Sequence, residues 1–366
     1  MRAYLFLLLL AAGTTYVATP LARRFAERST AMTPVRDRDV HSVPTPRLGG
    51  LAMLAGVVVS FLVASRMPFL QGLFAESRGP WAVLVAAAIV SLLGVVDDVW
   101  GLDALTKLAG QVLAAGLLAW QGVMFLSLPV AGVVVGSSGL FLVLTVFAVV
   151  LAINAVNFVD GLDGLAAGVT GIGGAAFFIY TYLLTRNASP DDYSNLASLT
   201  AAVLVGVCLG FLPHNANPAR IFMGDSGSML IGLLLASSAI SVTGQVDPGV
   251  VSRAQIAPAF LPVLLPVAVL LLPLTDLVLA IVRRVRAGQS PFAADKRHLH
   301  HRLLSLGHSH RHAVWVLYLW TAVVAFGAIS TAFVPVPIAV GVWGAAVVLA
   351  VAVTLGPARW RGARRP

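Results

Sequence analysis

The sequence predicts an all-α integral membrane protein, a single polytopic domain of about eleven transmembrane helices with the N-terminus outside and the C-terminus cytoplasmic. Its reactive residues are expected in cytoplasmic loops. Three observations carry this reading. The 366 residues are 58% hydrophobic and 11% charged, with a mean hydropathy of +0.91, whereas soluble domains carry about 25% charged residues. Apolar runs of about 20 residues, enough to cross a bilayer core, recur along the whole chain. The basic residues gather in alternate connections between those runs, as the positive-inside rule requires.

The spans are placed at 4–21, 48–65, 80–97, 104–121, 139–156, 165–184, 196–212, 226–243, 259–282, 313–334 and 336–355, with a cytoplasmic catalytic loop at 283–312. Leu5 to Ala12 resembles the apolar stretch of a signal peptide, but Arg2 stands alone before it while Arg23, Arg24 and Arg28 follow. That asymmetry describes a first span running from outside to inside. Threading the remaining spans from this start leaves only Arg2, Arg66, Arg78, Arg186 and Arg253 outside, against 19 of the 24 basic residues inside. The net charge of +9 therefore concentrates on one face. There it serves topology and attraction to anionic lipid, with a smaller share for an anionic substrate. Charges spread over loops between spans give no support to nucleic-acid binding. Cys208, the one cysteine, rules out an internal disulfide.

Four polar islands interrupt the apolar pattern, and all four map to the inner face. In the first, Asp97 and Asp98 end the third span and Lys107 opens the fourth. Adjacent carboxylates repel, so a nearby cation is the natural remedy, and a solvated helix terminus is the alternative. Lys107 suits phosphate attraction or simple snorkelling. In the second, Asn154, Asn157, Asp160 and Asp163 recur every three residues and would form one polar stripe on a helix. Such a stripe is costly at a membrane boundary without partners, which are either ligands or neighbouring helices. In the third, Gly224, Asp225, Ser226 and Gly227 precede the eighth span. Asp225 is either a helix cap or, with Asn157, part of an oxygen-ligand site for Mg²⁺.

The fourth island holds Lys296, Arg297, His298, His300, His301 and Arg302. One cysteine and no supporting acids weaken a zinc reading; donors to a pyrophosphate fit better. His308, His310 and His312 read as solvated loop. Asp276 lies inside the ninth span with Arg283 two turns on, the spacing of a structural ion pair.

Taken in order, these segments resemble the polyprenyl-phosphate N-acetylhexosamine-1-phosphate transferases, the MraY/WecA/TagO-like superfamily. The resemblance runs from HSVPTPRLGG at His41 through the Asp97–Asp98 pair, NAVNFVDGLDG and FMGDSGS to HLHHRL. It implies transfer of a sugar-1-phosphate from a UDP-sugar to a lipid phosphate, with release of UMP. It also implies metal ligands at Asn157 and Asp225, with Mg²⁺ as the cofactor and Mn²⁺ as a substitute. Asp97 and Asp98 correspond to a pair that meets the lipid phosphate or removes a proton, and Asp225 joins them as catalytic. Lys107, Asn154, Asp160, Asp163, His298, His300, His301 and Arg302 correspond to substrate-binding positions. A phosphate monoester, with a second pKa near 6, is mostly deprotonated at neutral pH, so a strong general base is dispensable and Asp97 is read as positioning.

The pattern His-x-His-His, with Leu299 between, resembles the WecA/TagO branch, which takes UDP-GlcNAc. MraY-type transfer of phospho-MurNAc-pentapeptide is the alternative within the family. Two lysines beside 22 arginines suggest a GC-rich genome, in which the carrier would be decaprenyl phosphate, with undecaprenyl phosphate the alternative. The expected partners are UDP-GlcNAc, a polyprenyl phosphate and the cell membrane, with no nucleic acid, and a homodimer is the expected assembly. The rival from another class is an ion-coupled transporter, which would place ionisable residues near the bilayer midplane on broken, repeated helices.

Overall fold

The structure, a computed structural model, describes residues 1–29, 32–33, 45–125, 128–129, 133–134, 137–188, 194–243, 282, 285–286, 288 and 308–362. Its apolar runs are helical, because a bilayer core offers no water to satisfy free backbone N–H and C=O groups. In chain order the helices are α1 (Arg2–Arg28), α2 (Gly49–Ala64), α3 (Pro68–Glu76), α4 (Gly79–Trp100), α5 (Ala104–Trp120) and α6 (Ser138–Val159). There follow α7 (Leu165–Ala188), α8 (Leu196–Asn215), α9 (Gly224–Thr243), α10 (His310–Phe333) and α11 (Val336–Gly362). Two antiparallel ribbons of two residues per strand accompany them, β1 (Met32–Thr33) with β2 (Thr45–Pro46) and β3 (Leu128–Pro129) with β4 (Val133–Val134). These ribbons correct the all-α expectation.

Among the described residues, eight helices are long and apolar enough to cross a membrane, or nine if α2 and α3, bent by 98°, form one broken span. Helix α3 was not expected. Pro68 in its first turn presets the backbone for a helix where the sequence suggested a short outer loop. Helix α5, at 17 residues, is shorter than each of those eight helices. The expected ninth span lies outside the described residues except for Val282, as do Asp276 and Arg283.

Side-chain caps start several helices: Asp103 accepts from the Leu105 and Thr106 N–H groups, and Asn195 from Ser198 N at 2.6 Å. At the other end, Gly101 at φ 74° stops α4, a conformation that a side chain would resist.

The contacts fix the direction of each helix. Tyr4 meets Asn195 and Tyr16 meets His214, so α1 and α8 run parallel. Asn157 meets Asp225 while Gly232 faces Ile153, so α6 and α9 run antiparallel. Tyr318 bonds Gly164 and Phe333 packs on Tyr180, so α10 runs parallel to α7. The described parts of three islands, residues 92–100, 154–168 and 217–229, consequently gather at one end of the bundle. The fourth, His298 to Gly307, lies outside the described residues.

Helix α9 is the centre, with 89% of its span buried, while α11 is the most exposed at 11%. The outward faces are apolar, as on α1, where Leu5, Phe6, Leu9 and Val17 point away from the bundle while Tyr4, Leu7, Ala11 and Thr15 face in. That arrangement suits a lipid surround.

The first turn of α9 is approached by two glycines. A methyl group on Gly94 of α4 would fall on the backbone of Asp225 and Ser226, and one on Gly50 of α2 on Ser226 and Gly227. Gly94→Ala should therefore destabilise the detergent-solubilised protein by about 1–3 kcal/mol, an overpacking penalty measured by denaturation. Gly116→Ala, with nothing within 4 Å, should show no such loss.

Candidate active site

Ionisable groups at the island-bearing end form a chain of charge and hydrogen bonds across four helices. Lys107, on the first turn of α5, places its ammonium 2.7 Å from Asp97 Oδ2 at the end of α4. The same nitrogen pairs with Asp225 Oδ2 at the start of α9. Asp225 Oδ1 accepts from Asn157 Nδ2 of α6 at 3.0 Å, and that nitrogen also donates to Ser228 Oγ at 2.8 Å. Asn157 Oδ1 is left without a hydrogen bond among the described residues. The second oxygen of Asp97 caps the chain reversal after α4, accepting from Leu102 N at 2.8 Å. One cation is thus shared between two carboxylates that lie 128 residues apart in numbering and would otherwise repel.

Asp98 does a different job from its neighbour. Its two oxygens accept from the N–H groups of Asp225 at 3.0 Å and Ser226 at 3.1 Å, so it caps the N-terminus of α9 from outside the helix. Gly224, at φ 68°, has no side chain to obstruct that carboxylate. The segment before α9 is also bonded to α2: Gly49 N donates to Phe222 O and Gly50 N to Met223 O, both at 3.0 Å, while Phe222 N donates to Pro46 O at 2.8 Å. These bonds hold the Gly224–Ser228 turn in place.

A second network braces the turn between α6 and α7. Asp163 Oδ2 accepts from Asn217 Nδ2 at 2.9 Å and from Ala219 N at 3.0 Å. Buried Asn215 joins the same two segments, accepting from Gly164 N and donating to Ile221 O, each at 3.0 Å. From α10, Tyr318 donates to Gly164 O and Arg311 Nε donates to Asn217 O at 3.2 Å.

Of the residues expected at a site, Asp97, Lys107, Asn157 and Asp225 are brought into direct contact. Asp98 adjoins them through the backbone of α9, and Asp160 is within electrostatic range of Asp225 and Asp98. Asn154 lies one turn deeper in α6, where its amide donates to Gln111 Oε1 at 2.6 Å and Val150 O at 2.8 Å. The hydrogen bonds of Asp163 go to the loop after α8. His298, His300, His301 and Arg302 lie outside the described residues. His308 departs from the solvated loop expected of it: it is buried at 7% exposure, with Nε2 2.9 Å from Thr354 O of α11. His310 and His312 sit on the first turn of α10 rather than in a loop.

Sequence reasoning passed over Gln111, Asn215 and Ser228. A glutamine four residues after Lys107 within an apolar helix was a legible signal, since a polar group there requires a partner. Asn215 and Ser228 lay in polar stretches where nothing distinguished them from their neighbours.

The donor set suits a hard cation. Among the described residues there is no group of three or more His, Cys, Asp or Glu arranged to hold a metal. Asp97 and Asp225 nevertheless present two partly exposed carboxylates beside Asn157. Mg²⁺ takes one or two carboxylates together with waters and substrate phosphates, so these oxygens fit it by type. Asp98, with both oxygens committed to α9, is not part of that set.

Asp160, just beyond α6, has its pKa pushed up to about 8, first by desolvation and then by repulsion from Asp225 and Asp98, with Arg47 opposing. Its carboxyl stays protonated in the folded protein after the unfolded chain has ionised near 3.8. Stability from this group is therefore complete at acid pH and declines as pH rises towards 8. Asp160→Asn should remove that decline: in EDTA, its melting temperature should gain on the wild type between pH 5 and pH 8. A constant difference across that range would refute the assignment.

Residues 80–243, which include this cluster, match the model of glycosyl transferase family 4. The chain is 47% identical to a decaprenyl-phosphate N-acetylglucosaminephosphotransferase of Mycolicibacterium smegmatis, over 97% of this chain and 88% of that protein. It is 33% identical to a probable undecaprenyl-phosphate N-acetylglucosaminyl 1-phosphate transferase of Bacillus subtilis, over 84% and 78%. A phospho-N-acetylmuramoyl-pentapeptide-transferase of Corynebacterium jeikeium is 32% identical over 56% and 65%. With nearly half its residues shared along nearly its whole length, the chain belongs to glycosyl transferase family 4, on the polyprenyl-phosphate N-acetylhexosamine-1-phosphate transferase branch that its motifs resemble.

Proposed function

We propose that the protein transfers GlcNAc-1-phosphate from UDP-GlcNAc to a polyprenyl phosphate, releasing UMP and leaving GlcNAc-diphospho-polyprenol in the membrane. The observation that carries this reading is the Lys107 ammonium between the Asp97 and Asp225 carboxylates, at the end of an otherwise apolar bundle. A lipid phosphate and a nucleotide diphosphate meet at such a boundary, and the main obstacle to joining them is their negative charge. An oxygen of the lipid phosphate attacks the β-phosphorus of UDP-GlcNAc. The bond from that phosphorus to the bridging oxygen breaks, and UMP departs with the oxygen.

Lys107 binds phosphate oxygens as a point charge, and Asp97 holds and orients its ammonium. Asp225 and Asn157, with Asp97 beside them, would hold Mg²⁺ or Mn²⁺, which supplies further neutralisation of phosphate charge when bound. Asp98 keeps the first turn of α9, and hence Asp225, in register. The histidine segment from His298 to Arg302 is assigned to the pyrophosphate and sugar by resemblance.

GlcNAc rather than phospho-MurNAc-pentapeptide is favoured because the relatives named for GlcNAc match this chain over a larger share of its length. The first of them is named for decaprenyl phosphate, which supports the longer carrier. The membrane is the cell membrane with the site facing the cytoplasm, supported by the excess of basic residues at the island-bearing end. Eleven spans remain the proposed count. Helix α9 leaves the site end and α10 starts from it again, which suits a further crossing assigned to the apolar run at 259–282.

Purified protein with labelled UDP-GlcNAc, Mg²⁺ and decaprenyl phosphate should release UMP and move label into the lipid fraction. Uptake of label into sealed vesicles with no UMP would instead support a transporter. Asp225→Ala should lower turnover by at least about a hundredfold, the scale on which a transition-state electrostatic contact is lost. Expression and membrane insertion should be unchanged, and near-normal turnover in that variant would remove Asp225 from the site.

A further inference from the structure

A second polar layer lies one helical turn below the charged one and uses three of the same helices. Gln111 is four residues after Lys107 on α5, Met229 four after Asp225 on α9, and Asn154 three before Asn157 on α6. At 1.5 Å per residue, each lies about 4.5–6 Å deeper in the bundle than its partner above. Gln111, 1% exposed, accepts from Asn154 Nδ2 at 2.6 Å and directs its own Nε2 at Met229 Sδ, 3.7 Å away. Asn154 Nδ2 also donates to Val150 O within its own helix. Gly110, the residue before Gln111, faces the Leu93 side chain of α4, one turn before Asp97.

We propose that Gln111 is a positioning residue for the transfer reaction: by locking α5 to α6 and α9 through the Gln111–Asn154 amide pair, it sets Lys107 between Asp97 and Asp225. The physical reason lies in the surroundings. An amide buried among apolar side chains costs free energy unless it is hydrogen-bonded, so the pair permits one register of α5 and penalises sliding or rotation. Lys107, on a flexible stem, has no such constraint of its own. Its position is inherited from the helix that carries it, and the nearest fixed point on that face is Gln111. The lower layer carries no net charge and touches neither carboxylate, so it acts only through the placement of the layer above.

The kinetic part of the test rests on the transferase reading, and the chemical part does not. Lys107 and Lys296 are the only lysines, so acylation by acetic anhydride, followed by mass spectrometry, reads Lys107 against an internal reference. The measurement is made in EDTA on the full-length protein in detergent. Gln111→Met, which keeps side-chain length without the amide, and Asn154→Leu should each raise the Lys107-to-Lys296 labelling ratio several-fold. The exchanged pair, Gln111→Asn with Asn154→Gln, should bring the ratio back towards the wild-type value.

In the transfer assay the single variants should lose about tenfold or more in kcat, the scale on which small misplacements are felt, with KM for UDP-GlcNAc within about twofold. The exchanged pair should recover most of that loss. An unchanged labelling ratio in both single variants overturns the proposal, even if kcat and melting temperature fall together, because that pattern describes general loosening. If the wild type releases no UMP, the transferase reading fails and the labelling ratio alone decides the role of Gln111.

Discussion

The site end of this protein depends on one shared cation. Asp97 and Asp225 come from helices far apart in the chain, and each would face an uncompensated neighbour of the same sign without the Lys107 ammonium between them. Taking charges out of water is expensive, and the cost is offset only while the partners remain together. That requirement ties the end of α4, the start of α5 and the start of α9 to one point at the rim of the bundle. Asn157 adds α6 through its amide. The ammonium and the carboxylates are partly exposed, so the arrangement that ties these helices together is also the one proposed to receive phosphate.

Around that point the backbone is held on every side. Asp98 satisfies two of the N–H groups that any helix start leaves open, and two α2 N–H groups donate to the loop carbonyls before α9. Gly50 and Gly94 let α2 and α4 approach the same turn more closely than a side chain would allow. The adjacent acids Asp97 and Asp98 therefore divide the work: one holds the cation, the other holds the helix. Successive positions on a helix point about 100° apart, which suits the two carboxylates to different partners.

Much of this was legible before the structure. The apolar runs, the basic asymmetry and three of the four polar islands pointed to the described helices and to the end at which their ionisable groups collect, because a bilayer enforces length and hydropathy on each span separately. The spacing of Asn154, Asn157, Asp160 and Asp163 indicated a common stripe. It did not distinguish Asn157, which reaches Asp225, from Asn154, which is one turn too deep and pairs with Gln111. Likewise, three histidines after the fourth island read alike in sequence, yet His308 is buried against α11 while His310 and His312 open α10.

The sequence by itself determined the membrane character, the approximate helices and which short segments carry clustered polar and charged groups. Those properties are local: each follows from the solvent that a short segment can tolerate and the functional groups it carries. Only the tertiary structure decided that Lys107 sits between Asp97 and Asp225, that Asp98 caps α9, and that Gln111 and Asn215 join separate segments. Such pairings depend on the rotation and depth of one helix against another, which are set by packing across the whole bundle and leave no mark in spacing along a single chain.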